Sequence, residues 1–158
     1  LLKKAGVNLI YVGIESSDSS VKANASRMSD TDANQILKIN YLEKIGIKIK
    51  SMYIVGLPAD TRDTYQNTFN YAKKINSTYA QFNVFTPYPG TPVFKEYEDK
   101  ITAKTYEEFT QNELVFSHNQ LSNKDIFEML DDSYKLYYSN PSWVIKYLLI
   151  KIKSIFIN

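Results

Sequence analysis

Apolar residues fall in short runs separated by polar clusters bearing Gly or Pro, and the spacing inside the runs changes along the chain. Leu9–Ile14, bounded by Asn8 and Glu15, predicts a strand. After the polar stretch 16–20 and a turn-like segment at 21–25 the period lengthens. Ala33, Leu37, Tyr41 and Ile45 recur at i, i+4 behind a Ser29 N-cap with Asp32 three residues on, and Gly46 stops the helix. Ile47–Val55 alternates with Lys48 and Lys50, then runs apolar from Met52, the pattern of a strand entering a sheet covered on both faces. Thr61 caps a second helix whose Tyr65, Phe69, Ala72 and Ile75 share one face. Tyr79–Thr86 is a third strand. Pro87, Pro89, Gly90 and Pro92 forbid regular structure until a short helix over Val93–Tyr97.

Beyond about residue 100 the pattern changes. Tyr106–His118 is irregular. Ser122 caps a helix with Leu121 and Ile126 placed as a hydrophobic staple and with Ile126, Leu130, Tyr134 and Tyr137 as its buried stripe. Asn140-Pro141 opens a last helix, with Pro in the first turn. Val144–Ile157 is apolar but carries Lys146, Lys151 and Lys153, too short and too charged to span a bilayer. It could lie on a membrane surface; packing against the rest of the protein is the preferred expectation. Tyr134, Tyr137 and Tyr138 fit a packed helix better than a cofactor box.

Composition narrows the chemistry. The chain has 158 residues, no cysteine and one histidine, His118. A disulfide framework and a thiolate metal site are thereby excluded within these residues, and any metal site here would be mostly carboxylate. No EF-hand loop or HExxH pattern occurs. A formal charge of +2 is too small to argue for nucleic acid, and none is expected as a partner. The first residue is Leu, and 1–6 reads as the tail of a helix ending at Gly6, so the chain is expected to begin mid-protein. His118 is assigned no role.

Candidate chemistry sits where each strand should end. Glu15, between Gly13 and Ser16-Ser17, offers a carboxylate to a vicinal diol or an ammonium group; the plainer alternative is a loop carboxylate or a partner for Arg27. Gly56-Leu57-Pro58-Ala59-Asp60-Thr61 permits close backbone approach ahead of a helix start, or is simply a well-capped connection. Pro87–Pro92 is a rigid loop, with Phe85 and Tyr88 offering flat faces for a heterocycle or packing on their own barrel. Arg27, one of two arginines in a Lys-rich chain, hints at bidentate binding, against the alternative of a surface charge.

In order, GIESS at 13–17, Arg27 before a capped helix, IVGLPADT at 54–61 and FTPYPGTPVF at 85–94 resemble the C-terminal half of a radical S-adenosylmethionine (SAM) enzyme. The resemblance covers roughly residues 1–100. It implies an α/β fold, a partial TIM-like (β/α)6 barrel of which the last three βα units lie here, followed by a helical C-terminal extension over 101–158. It also implies a missing N-terminal part carrying CxxxCxxC, whose thiolates hold a 4Fe-4S cluster that reductively cleaves SAM for radical chemistry on a small-molecule substrate. By position, Glu15 and Ser16 match the ribose-contacting segment, and Arg27 matches an arginine for the methionine carboxylate. Ile54 and Gly56 match the segment lining the adenine, and Phe85, Thr86 and Pro87 the segment whose backbone meets it. No catalytic residue or metal ligand is assigned to this chain, which is expected to be inactive alone and cytoplasmic.

Two departures refine the likeness. Ala59 stands where the family usually has Gly, so that turn must avoid positive φ. Met52 replaces a common Asp, and with Asp60 and the Tyr137–Pro141 segment this is most similar to the cobalamin-binding branch, which includes methyltransferases and an anaerobic porphyrin-ring cyclase. Two rivals stand beside it. An RNA methylthiotransferase-type protein would call for a basic RNA-binding domain after the barrel. A non-catalytic barrel-derived module would leave two open strand edges in need of a partner.

Overall fold

The structure, a computed structural model, describes residues 1–16 and 32–156. Arg27, the Ser29 cap and the 21–25 turn expected from sequence lie outside the described residues. Three parallel strands, β1 (Leu9–Glu15), β2 (Lys48–Val55) and β3 (Tyr79–Val84), form one sheet in the order β1-β2-β3. Between them run α1 (Asp32–Lys44) and α2 (Arg62–Ile75); then come α3 (Pro92–Tyr97), α4 (Asn123–Tyr138) and α5 (Pro141–Phe156). The arrangement is a mixed α/β fold consistent with a fragment of a βα barrel.

Residues 1–6 form turns rather than a helix, closed by the Ala5 amide donating to the Leu1 carbonyl and by Gly6 at φ 85°. The strands show why one face holds the core. Along β2, Ile49, Ser51, Tyr53 and Val55 are buried beneath the helices, while Lys50, Met52 and Ile54 on the other face are only half-buried. β3 repeats this, with Ala80, Phe82 and Val84 inside and Gln81 and Asn83 on the open face. The expectation of a sheet covered on both faces is therefore corrected. Met and Ile read as fully buried in a run, but here they line a half-open surface.

Phe82 centres the core: Tyr53 stacks on it at 5.2 Å and Tyr134 meets it edge-on at 5.3 Å. The hydroxyls of Ser51 and Tyr53 are buried there with no hydrogen-bond partner among the described residues, and burial pushes the Tyr53 phenol well above its usual range.

α1 buries a face other than that expected, and in α4 only Ile126 and Tyr137 of the expected stripe are fully buried. In α1, Ile39 is buried with Ile36 and Leu42 half-buried, while Leu37 and Tyr41 are exposed. Glu43 sets this rotation: its Oε1 accepts from the Thr78 amide at 2.6 Å and hydroxyl at 2.7 Å, and its other oxygen meets the Lys146 ammonium. In α4 the buried line is Ile126, Met129, Ser133 and Tyr137; Leu130 and Tyr134 stand off it. Ser133 belongs inside because its hydroxyl donates to the Met129 carbonyl and pairs with the Tyr65 hydroxyl at 2.6 Å. The α2 face of Tyr65, Phe69, Ala72 and Ile75 is buried as its spacing predicts.

The outer edge of β3 is not open. The Tyr138 hydroxyl accepts from the Ala80 amide (2.9 Å) and donates to the Ala80 carbonyl (2.7 Å). Tyr134 does the same at Phe82 (3.1 and 3.0 Å), and the Val84 amide donates to the Gln111 carbonyl at 2.7 Å. Residues of the C-terminal segment thus serve as a fourth strand's substitute, so this edge lacks the open backbone groups that the non-catalytic rival would leave in need of a partner.

Candidate active site

Parallel order puts the C-terminal ends of all three strands on one edge of the sheet. Glu15 pairs with Tyr53, and the Phe85 amide donates to the Val55 carbonyl at 2.8 Å, so the segments after the strands are neighbours. With strands about 4.8 Å apart, the three ends span roughly 10 Å, the scale of a nucleoside.

Glu15 ends β1 at φ 67°, past an irregularity in the pairing between Gly13 and Glu15. A non-Gly residue in this region costs on the order of 1–2 kcal/mol, and such strain points to a functional position. Its Oε1 lies 3.8 Å from where a Gly13 Cβ would stand, so the carboxylate folds back over Gly13 on the open face. Ser16 faces the other way: its buried hydroxyl pairs with the Thr68 hydroxyl of α2 at 3.1 Å. That side chain braces the strand end against the helix, so any contact of Ser16 with a ligand at the rim falls to its backbone.

The loop after β2 is held from within. Asp60, buried, accepts from the Leu57 amide at 2.8 Å and from the Thr64 hydroxyl at 3.2 Å. Thr61 is the N-cap of α2, in a capping box with Thr64. Ala59 keeps a negative φ, as it must. Gly56 has φ 73°, and a Cβ there would stand 2.5 Å from Ile126 Cδ1. The close approach that demands glycine is made by α4 of the extension. Ile54 is half-buried on the open face, opposite Asn83.

The third segment is half committed to packing. Phe85 meets Phe116 at 5.7 Å and Tyr97 at 6.0 Å, both edge-on. The Thr86 hydroxyl donates to the Val84 carbonyl at 3.0 Å, and Pro87 is buried. Tyr88, partly exposed, tilts against Phe109 at 6.4 Å. Of the residues expected at the site, Glu15, Ile54, Gly56, Phe85, Thr86 and Pro87 are thus brought to one edge; the Ser16 hydroxyl is turned away from it.

Sequence reasoning missed His118. Its Nδ1 accepts from the Gln120 and Leu121 amides, both at 3.1 Å, which leaves the proton on Nε2 to donate to the Leu57 carbonyl at 2.9 Å. It ties the start of α4 to the loop after β2. Also missed were the polar groups of the open face: Lys50 over the Tyr11 ring at 5.2 Å, and the Gln81 amide donating to Asn83 Oδ1 at 2.9 Å. Their signal was the alternation of polar residues in the strands, which marks a wetted sheet face.

No protein-family model matches the chain. Curated relatives do. An uncharacterised methyltransferase of Pyrococcus horikoshii is 28% identical over 148 residues, 92% of this chain and 32% of that protein. The anaerobic magnesium-protoporphyrin IX monomethyl ester cyclase of Rubrivivax gelatinosus is 22% identical over 144 residues, 91% of this chain and 26% of that protein. The relatives of this chain are radical SAM enzymes, with the cobalamin-binding branch among them. A third radical SAM relative, the tRNA-2-methylthio-N(6)-dimethylallyladenosine synthase of Psychrobacter cryohalolentis, is 29% identical over 104 residues, 65% of this chain and 20% of that protein. The chain therefore spans a third or less of the length of each of these radical SAM relatives.

Proposed function

We propose that this chain supplies the SAM-holding rim of a radical SAM enzyme that transfers a methyl group or closes a ring on a small molecule, with cobalamin as a second cofactor. The observation that carries the reading is the single sheet edge bearing Glu15, Gly56 and the 85–87 segment side by side. The chain has no cysteine, so its residues do not fit the 4Fe-4S cluster, whose ligands must come from elsewhere. The residues do fit part of a nucleoside. The Glu15 carboxylate, folded over Gly13, accepts from a ribose diol. Ile54 gives an apolar wall for a base, and the backbone after β3 gives polar groups at its edge. Arg27 is proposed for the methionine carboxylate on the strength of its sequence position alone. SAM would bring the group that abstracts hydrogen; this chain would orient it.

The tRNA-modifying relatives support a second reading, RNA methylthiolation. The longer matches favour the first, because one of 148 residues necessarily takes in most of residues 101–158 and one of 104 does not. The test uses the anaerobically purified polypeptide that carries this chain, with iron content and SAM affinity measured together. We expect a bound cluster and a SAM Kd at least tenfold weaker in Glu15→Ala and Ile54→Asp. Wild-type affinity in both variants would sink the reading, as would SAM cleavage by the isolated 158-residue chain.

A further inference from the structure

The loop after β2 contains a closed unit on a soft joint. The Asp60 amide donates to the Leu57 carbonyl at 2.7 Å, and the Leu57 amide donates to Asp60 Oδ2 at 2.8 Å, so residues 57–60 form a turn locked by its own hydrogen bonds. That turn meets β2 at Gly56, where φ is 73° and no Cβ restricts the backbone. A rigid turn on a permissive joint moves as one piece, so its seat beside the rim depends on what grips it from outside. α2 holds the far end through Thr64, whose hydroxyl donates to Asp60 Oδ1 at 3.2 Å.

His118 grips the near end. Its Nε2 donates to the Leu57 carbonyl at 2.9 Å, on the acceptor's second lone pair. The imidazole is itself fixed, because Nδ1 accepts from the Gln120 and Leu121 amides at 3.1 Å each. Both ring nitrogens are therefore needed: a lysine here could donate to Leu57 but would leave those two amides unmet. The ring also tilts against Phe116 at 5.9 Å, and Phe116 meets Phe85 of the third rim segment at 5.7 Å. Residues 116–118 thus touch two of the three segments that end at the rim. We infer that His118 is a positioning residue for SAM, acting through Leu57 to hold the Gly56 backbone in place; this rests on the reading of the rim as a SAM site. The Gly56–Leu57 peptide is trans, so directing the Leu57 N–H at buried Asp60 aims the Gly56 carbonyl the opposite way. His118 fixes that direction by fixing the turn.

Two substitutions each keep one end of the ring's hydrogen bonding. Asparagine keeps an acceptor near the place of Nδ1 but is too short to reach Leu57, whereas glutamine reaches as far as Nε2 and keeps a donor there. The test uses the anaerobically purified polypeptide that carries this chain. His118→Asn should weaken the SAM Kd about fivefold, the loss expected when one neutral hydrogen bond no longer holds the binding conformation. It should also speed amide hydrogen exchange over residues 56–61. His118→Gln should keep affinity and exchange near wild type, while thermal melts fall in both variants. A merely structural residue would move the melts alone. Unchanged SAM affinity in His118→Asn therefore overturns the inference whatever the melting temperature, as does a loss in His118→Gln equal to that in His118→Asn. Glu15→Ala separates the two claims. Weakened SAM binding there, with wild-type affinity in His118→Asn, overturns the inference and leaves the reading of the rim standing. Wild-type affinity in both Glu15→Ala and Ile54→Asp overturns that reading and this inference with it.

Discussion

Gly56 offers a sharp test of how the extension meets the rim. Gly56→Ala perturbs two things at once. Its φ of 73° costs an alanine on the order of 1–2 kcal/mol. Its new Cβ would stand 2.5 Å from Ile126 Cδ1, over 1 Å inside an ordinary carbon contact of about 3.5–4.0 Å. Ile126 is 1% exposed, so moving its Cδ1 aside repacks buried neighbours, an overpacking cost of about 1–3 kcal/mol. The two parts separate in a double-mutant cycle. Ile126→Val removes Cδ1 at a cost of about 0.5–1.5 kcal/mol, and the next atom, Cγ1, lies 3.7 Å away, an ordinary contact. In the Ile126→Val background, Gly56→Ala should therefore cost only the backbone share. Urea unfolding followed by far-UV circular dichroism should return a coupling of about 1–3 kcal/mol, with the double variant more stable than the sum of singles predicts. Additivity within about 0.5 kcal/mol would refute the contact and, with it, the claim that α4 shapes the loop after β2.

Other expectations follow from single contacts. Glu15→Gly should raise stability by about 1 kcal/mol in thermal melts by relieving positive φ, while weakening SAM binding in the complete enzyme, a trade typical of strained functional positions. Tyr53→Phe removes a buried hydroxyl without a partner and should be neutral or stabilising by about 1 kcal/mol. Tyr134→Phe strips partners from both backbone groups of Phe82 and should cost about 1–3 kcal/mol, with light scattering reporting added self-association if the bared edge pairs. The Asp125 carboxyl is held far below its usual range by the Ser122 hydroxyl, the Ser122 amide and Arg62. Its folded pKa is depressed, so its stabilising share is complete above the ordinary carboxylate range of about 4 and is lost as pH falls below it. Ser122→Ala removes the largest cause and should move the acid-unfolding midpoint upward.

The strands were legible because β-branched and aromatic runs end in Gly, Pro and carboxylates, and the α2 stripe because no competing arc exists on that helix. α1 carries two apolar arcs, Ile36-Ile39-Leu42 and Leu37-Tyr41-Ile45, and only Glu43, reaching Thr78, decides between them. α4 misleads for a similar reason: Ser133 looks like a surface residue until Tyr65 supplies its partner. At the rim, the order of strand ends could be read, but the conformation of Glu15 and the commitment of Phe85 to Phe116 and Tyr97 could not. Those depend on contacts between segments far apart in sequence, which local pattern does not encode.

The two edges of the sheet differ in a way that directs assembly. A phenol carries one donor and two acceptor lone pairs, so Tyr138 at Ala80 and Tyr134 at Phe82 each return both hydrogen bonds that a neighbouring strand would have made. With the Val84 amide met by Gln111, a strand arriving at β3 would exchange satisfied bonds for equivalent ones and gain little. β1 pairs only with β2 among the described residues, so its other side is where backbone groups reward an added strand. Among the described residues, then, β1 and not β3 is the edge left for an added strand, on the side of the sheet that ends in Glu15.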